Sequence, residues 1–86
     1  QLVSLVIPVY NEADHLDEFL KRVDSLELSV PKELIIIDDC STDQSREILR
    51  NFPFRSPCQI IEKDKNEGKG AAIRSGIERA GGTIIG

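Results

Sequence analysis

The sequence contains no run of apolar residues close to the about 20 that are needed to cross a bilayer. Its apolar start, Leu2 to Val9, has neither the basic flank nor the small-residue cleavage site of a signal peptide. Basic residues are also outnumbered, since 11 Lys and Arg stand against 15 Asp and Glu, for a formal net charge of -4. Duplex binding draws on many Lys and Arg contacts to phosphate, so no general affinity for nucleic acid is expected.

Cysteine and histidine are scarce as well. The two cysteines, Cys40 and Cys58, form no metal motif, and in a chain without a targeting segment we expect both to stay thiols. The single histidine, His15, is expected to be a solvated side chain, so Cys40 has no partner that would make it a nucleophile. The 86 residues are enough for one small domain.

The stretch from Leu34 to Asp43 organises the chain. Four consecutive aliphatic residues, Leu34 to Ile37, predict a strand buried on both faces, and Asp38 and Asp39 mark its end. Adjacent carboxylates at the end of a buried strand are costly unless donors or a metal ion compensate them. For Asp39 we therefore favour a binding role, whereas Asp38 is open to the interpretation that it only orients the turn.

The remaining pattern predicts alternating strands and helices, which favours an α/β fold with a doubly wound, mostly parallel sheet and flanking helices. Asn11 is expected to cap the first helix, and Ser41, with Gln44, the second. Small residues predict a close approach of the third helix to the sheet. The predicted strands are Val3 to Pro8, Glu33 to Asp38, Cys58 to Glu62 and the stretch from Thr83 to Gly86, and the helices follow Asn11, follow Ser41 and span Ala71 to Ala80.

Two further polar clusters fall where strands end. Pro8 to Glu12 occupies a strand-to-helix turn but lacks the glycines of a dinucleotide fingerprint; Tyr10 could stack on a base, or the segment could be only a capped helix start. The loop Lys63 to Gly70 holds two glycines and Lys69 before a helix, which suits a diphosphate, although a solvated loop is the alternative.

Three segments together resemble the N-terminal part of a family 2 glycosyltransferase with the GT-A fold. Val3 to Glu12 is similar to the family's V-S-x-V-I-P-x-Y-N-E opening, Ile35 to Asp43 to I-I-V-D-D-x-S-x-D, and Asn66 to Gly76 to N-x-G-K-G-x-A-x-x-x-G. The variants present are most similar to the polyprenyl-phosphate and dolichyl-phosphate sugar transferases.

The resemblance implies inverting transfer of a hexose from a UDP-sugar or GDP-sugar to an acceptor, with polyprenyl phosphate as a candidate. The resemblance also implies a cytoplasmic location, either free in the cytoplasm or at the cytoplasmic face of a membrane. The implied nucleotide-sugar-binding residues are Pro8, Tyr10, Glu12, Ile37, Asp39 and Lys69.

The family's D-x-D metal motif and catalytic base are expected beyond Gly86. Mg²⁺ or Mn²⁺ is therefore expected only for the full-length enzyme, and residues 1–86 are expected to carry most of the nucleotide-recognition half without turnover of their own. An uncovered sheet edge would also favour self-association. The alternatives are a non-catalytic nucleotide-binding or receiver-like signalling module and a structural fragment whose pocket never forms.

Overall fold

A computed structural model describes residues 1–85 of the chain. Strands and helices alternate as predicted, and the third strand has the predicted bounds. The final predicted strand is present from Thr83, while its last residue, Gly86, lies outside the described residues. The elements are β1 (Val3–Val9), α1 (Ala13–Ser25), β2 (Lys32–Asp38), α2 (Ser45–Asn51), β3 (Cys58–Glu62), α3 (Lys69–Arg79) and β4 (Thr83–Ile85).

The four strands form one parallel sheet in the order β3-β2-β1-β4. The order reverses beside β1, which makes the gap between β1 and β4 the topological switch point of the sheet. A receiver-like domain has the order 2-1-3 at its start, so the observed order does not fit the receiver-like alternative. The doubly wound, parallel α/β prediction is confirmed.

Both faces of the central strand β2 are covered. Leu34 and Ile36 pack under α1 and α2, whereas Ile35 and Ile37 pack under α3, and all four are fully buried. Gly76 of α3 lies so close to the sheet that a Cβ atom there would stand 2.5 Å from Val6 Cγ1. The predicted close approach of α3 through its small residues is therefore confirmed.

β1 continues through Pro8 to Val9, although the sequence predicted that Pro8 would end it. The Val9 carbonyl accepts a hydrogen bond from the Asp39 amide at 2.9 Å, so the backbone of Val9 faces β2. Backbone groups of successive strand residues point to opposite edges, and the missing N-H of Pro8 therefore faces away from β2. Among residues 1–85, β4 pairs on that side only with Val3 to Leu5, so Pro8 removes no ladder hydrogen bond there.

α3 begins two residues earlier than predicted, at Lys69 instead of Ala71. Gly68 stands at the start with a φ of 93°, a conformation that glycine adopts without steric cost. The Gly68 carbonyl then accepts a hydrogen bond from the Ala72 amide at 3.1 Å. Lys69 consequently projects from the first turn of a helix and not from a loop.

Candidate functional site

A cavity of about 770 Å³ opens at the switch point, along β1 and between α1 and α3. We call its wall at the carboxyl ends of the strands the polar end and the remainder the apolar end. The polar end is formed by Tyr10, Glu12, His15, Asp39, Asn66, Gly68 and Lys69. The apolar end includes Leu5, Ile7, Phe19, Val23 and Leu26.

Asp39 joins the end of β2 to the loop that precedes α3. Asp39 as a residue is 3 % exposed, and its carboxylate accepts hydrogen bonds from the Glu67 amide at 3.1 Å and the Gly68 amide at 3.0 Å. A carboxylate offers about four acceptor positions, so these two amides leave capacity for a ligand. Asp39 therefore holds the glycine loop, residues 63–68, in place and also forms part of the cavity wall.

Asp38 is fully buried and lies outside the cavity wall. One of its carboxylate oxygens accepts from Arg46 Nε at 2.7 Å, and the carboxylate also accepts from the Ser41 amide and hydroxyl. The side chain thus shapes the turn after β2, in agreement with the interpretation that Asp38 orients the turn.

The two strand-to-helix turns are tied to each other by side-chain caps. Asn11 Oδ1 accepts from the Thr42 amide at 2.8 Å, while Asp43 accepts from the amides of Ala13 at 3.2 Å and Ser45 at 2.9 Å. The hydrogen bonds from Ser45 are the main cause that lowers the pKa of Asp43 below its usual value. Asp43 therefore accepts hydrogen bonds from the first residue of both α1 and α2.

These caps correct two predictions. Asn11 does not cap its own helix, and Ser41 does not form a capping box, because α1 and α2 follow Glu12 and Gln44, neither of which makes a side-chain cap. The Ser41 hydroxyl instead accepts from the Asn11 amide at 3.0 Å. The partners that join the two turns are about thirty residues apart, so no local spacing in the sequence could have revealed these contacts.

Tyr10, Glu12 and Lys69 leave their functional groups available at the polar end. Within residues 1–85 none of these three side chains makes a hydrogen bond or an ion pair to the protein, and all three are exposed. An aromatic ring, a carboxylate and an ammonium group around one opening offer stacking, hydrogen-bond acceptance and a positive charge.

The other residues of interest lie in different surroundings. Pro8 lines the cavity as expected, but Ile37 is buried beneath α3 and contributes no surface to it. The sequence predicted only a solvated side chain for His15, yet this residue lies in the wall of the polar end, in the first turn of α1. At the glycine loop, Lys63 Nζ pairs with Glu67 at 2.6 Å and lowers the pKa of that carboxyl.

Residues 1–85 contain neither a cluster of metal-ligating side chains nor a helix that could span a membrane. No three His, Cys, Asp or Glu side chains in this part of the chain are grouped so that they could hold a metal ion. No helix in the same range is both long and apolar enough to span a bilayer.

Solved glycosyltransferases superpose on this chain. S. aureus TarS, solved with UDP-GlcNAc, superposes with a TM-score of 0.87 at 23 % identity, and the superposition covers 99 % of this chain and 25 % of TarS. The mannosyltransferase PcManGT from Pyrobaculum calidifontis, solved with GDP-Man and Mn²⁺, gives 0.77 at 26 % identity over 91 % of this chain and 24 % of its own. The fold is therefore that of the GT-A glycosyltransferases.

The profile of glycosyl transferase family 2 matches residues 4–86, and the chain belongs to that family. A dolichol-phosphate mannosyltransferase from Pyrococcus furiosus is 30 % identical over 96 % of this chain. An undecaprenyl-phosphate 4-deoxy-4-formamido-L-arabinose transferase from Edwardsiella ictaluri is 39 % identical over 99 % of it. The chain spans about a quarter of the length of these relatives, 24 % and 27 % respectively.

Proposed function

We propose that this chain provides the nucleotide-binding part of an inverting glycosyltransferase that uses a UDP-hexose or GDP-hexose as donor. The observation that carries the proposal is the cavity at the switch point, whose polar end combines Tyr10, Glu12, Asp39 and Lys69. In open α/β sheets, ligands bind outside the carboxyl ends of the strands at this position. Membership of the family supplies the reaction class.

The roles proposed for these side chains follow from their chemistry. Tyr10, 43 % exposed at the rim, stacks on the base, while Glu12 and Asp39 accept hydrogen bonds from the base or the ribose. Lys69 lies in the first turn of α3, where the partial positive charge of the helix favours a diphosphate. Pro8 completes the wall of the cavity. Ile37, a residue of β2, packs beneath α3 without reaching the cavity.

The donor and the acceptor are proposed from relatives and not from geometry. Structures similar to this chain hold UDP-GlcNAc in one case and GDP-Man with Mn²⁺ in another, so both nucleotides remain candidates. Relatives named for dolichol phosphate and undecaprenyl phosphate support a polyprenyl phosphate as acceptor. A cytoplasmic location stays a prediction.

The proposed reaction is in-line attack of the acceptor oxygen on the anomeric carbon, with departure of the nucleoside diphosphate. A divalent ion bound in the complete enzyme would stabilise the charge that develops on the departing diphosphate. That the ligands of this ion lie beyond residue 86 stays a prediction. That residues 1–86 have no turnover of their own also stays a prediction.

The test is a calorimetric titration of the chain with UDP and with GDP, each with and without Mn²⁺. We expect one nucleotide to bind, and we expect Tyr10→Leu to weaken its binding about 5-fold to 150-fold, because base stacking on an aromatic ring contributes about 1–3 kcal/mol. Phe19→Leu is the matched control, since Phe19 is also 43 % exposed but lies at the apolar end. Absence of binding by a folded chain, or equal losses in the two variants, would contradict the proposed site.

A further inference from the structure

Arg46 connects the buried Asp38 to the start of the glycine loop. It projects from the first turn of α2, and its side chain is 27 % exposed. Nε donates to an Asp38 carboxylate oxygen at 2.7 Å, and a terminal guanidinium nitrogen donates to the Lys63 carbonyl at 2.9 Å. A planar guanidinium can make both contacts at once, which a lysine ammonium group on a flexible stem cannot reproduce.

The Lys63 backbone is fixed from two sides. Its amide donates to the Asp38 carbonyl at 2.9 Å, while its carbonyl accepts from Arg46. Four and five residues after Lys63, the amides of Glu67 and Gly68 donate to the carboxylate of Asp39. One end of the glycine loop is thus held by Arg46 and Asp38, and the other end is held by Asp39.

We propose that Arg46 is a positioning residue for the polar end of the cavity. By pairing with Asp38 and holding the Lys63 carbonyl, it sets the path of the loop that delivers the Glu67 and Gly68 amides to Asp39. Arg46 itself does not line the cavity, so it acts on a ligand only through these groups. The consequence for nucleotide binding rests on the function proposed above, whereas the effect on the loop does not.

The chain offers a matched control on the same helix. Arg50, one turn after Arg46, makes two 2.6 Å hydrogen bonds to the Glu62 carboxylate at the end of β3. Arg50 therefore links α2 to the end of β3 through a charged pair, but within residues 1–85 it donates no hydrogen bond to Asp38 or to the glycine loop. A role limited to holding α2 on the sheet would affect variants at both positions in the same way.

The experiment compares Arg46→Met, Arg46→Lys and Arg50→Met by amide NMR without nucleotide and then by nucleotide titration. Amide protons bonded to a carboxylate are shifted downfield, so the Glu67 signal reports the Asp39 contact directly. The Gly68 amide is shared between Asp39 at 3.0 Å and Asn66 Oδ1 at 3.1 Å, so its signal supports the Glu67 result. We expect both signals to move upfield in Arg46→Met and Arg46→Lys and to stay unchanged in Arg50→Met. If Arg46→Met does not fold, Arg46→Lys, which can keep an ion pair with Asp38, decides the question.

For nucleotide affinity we expect a tenfold or greater loss in the folded Arg46 variants and less than a twofold change in Arg50→Met. Unchanged Glu67 and Gly68 signals in a folded Arg46 variant would overturn the inference. Equal signal changes in the Arg50 variant would overturn it as well. Should the wild-type chain bind no nucleotide, the proposed function would fail while the amide signals still test Arg46.

Discussion

The packing of α3 against the sheet can be tested at Gly76 with a single added methyl group. A Cβ atom at this position would lie 2.5 Å from Val6 Cγ1 and 2.7 Å from Ile37 Cδ1, both distances shorter than real Cβ contacts allow. Val6 and Ile37 are buried, so the strain cannot be relieved into solvent. Overpacking of this kind costs about 1–3 kcal/mol, whereas alanine gains about 1 kcal/mol over glycine inside a helix.

The expected net effect of Gly76→Ala is a loss of about 1 kcal/mol in the free energy of unfolding, or about 4–8 °C in Tm for a domain of this size. Gly70 provides the control because it belongs to the same helix and a Cβ atom there would meet nothing within 4 Å. Gly70→Ala should therefore be neutral or stabilising by up to about 1 kcal/mol.

Urea unfolding followed by far-ultraviolet circular dichroism measures both variants, and Gly76→Val extends the series. A larger loss for valine than for alanine is expected, because two more methyl groups enter the same contact. If Gly76→Ala proved as stable as the wild type, α3 could not lie against Val6 and Ile37 as described, and the placement of Lys69 at the cavity would lose its support.

Three further predictions concern a turn, an acid and an edge. Cys40 has a φ of 61°, a conformation that costs most residues other than glycine about 1–2 kcal/mol. Cys40→Gly should therefore raise the free energy of unfolding, measured in urea, by up to about 1 kcal/mol. An equal gain in Cys40→Ala would contradict this explanation. Burial raises the pKa of Asp24, but the amides of Arg55 and Ser56 outweigh burial and leave the pKa below its usual value of 3.8. The stabilisation by Asp24 is therefore complete above its unfolded-state pKa and is lost as the pH falls through its folded-state pKa. In acid titrations, the difference in the free energy of unfolding between wild type and Asp24→Asn should shrink over that range. A difference that stays constant would refute this explanation. Among the described residues, β4 leaves Val6–Val9 of β1 unpaired on one side, and such an edge favours self-association. The sedimentation coefficient should therefore rise with protein concentration, and it should rise less in Phe19→Lys, which places a charge at the apolar end of the cavity. A coefficient that stays constant would contradict self-association.

The fold could be predicted from the sequence because its signals are local. Leu34 to Ile37 form an uninterrupted aliphatic run that only a two-sided environment accommodates, and β2 is indeed covered on both faces. Pro8 misled the prediction because proline ends a strand only where its missing N-H would have been needed. That condition depends on how far β4 extends along β1, which is a property of the assembled sheet.

The candidate site was predicted in part for the same reason. Tyr10, Glu12, Asp39 and Lys69 all follow strand ends, and the parallel sheet brings strand ends to one rim. The contacts that hold this rim together could not be predicted. They join Asn11 to Thr42, Asp43 to Ala13 and Asp39 to Gly68, residues that are 28 or more positions apart and that carry no periodic signal.

The proposed stacking of a nucleotide base on Tyr10, at the polar end of the cavity, is tested most directly on the tyrosine ring itself. Tyr10 is the only tyrosine in the chain, and the sequence has no tryptophan, so its ring protons can be identified without ambiguity by NMR. Titration with UDP or GDP should move these ring protons upfield in a saturable way, with little change for Phe19 at the apolar end. Saturable nucleotide binding that leaves the Tyr10 ring unshifted, or that shifts Phe19 alone, would contradict the account.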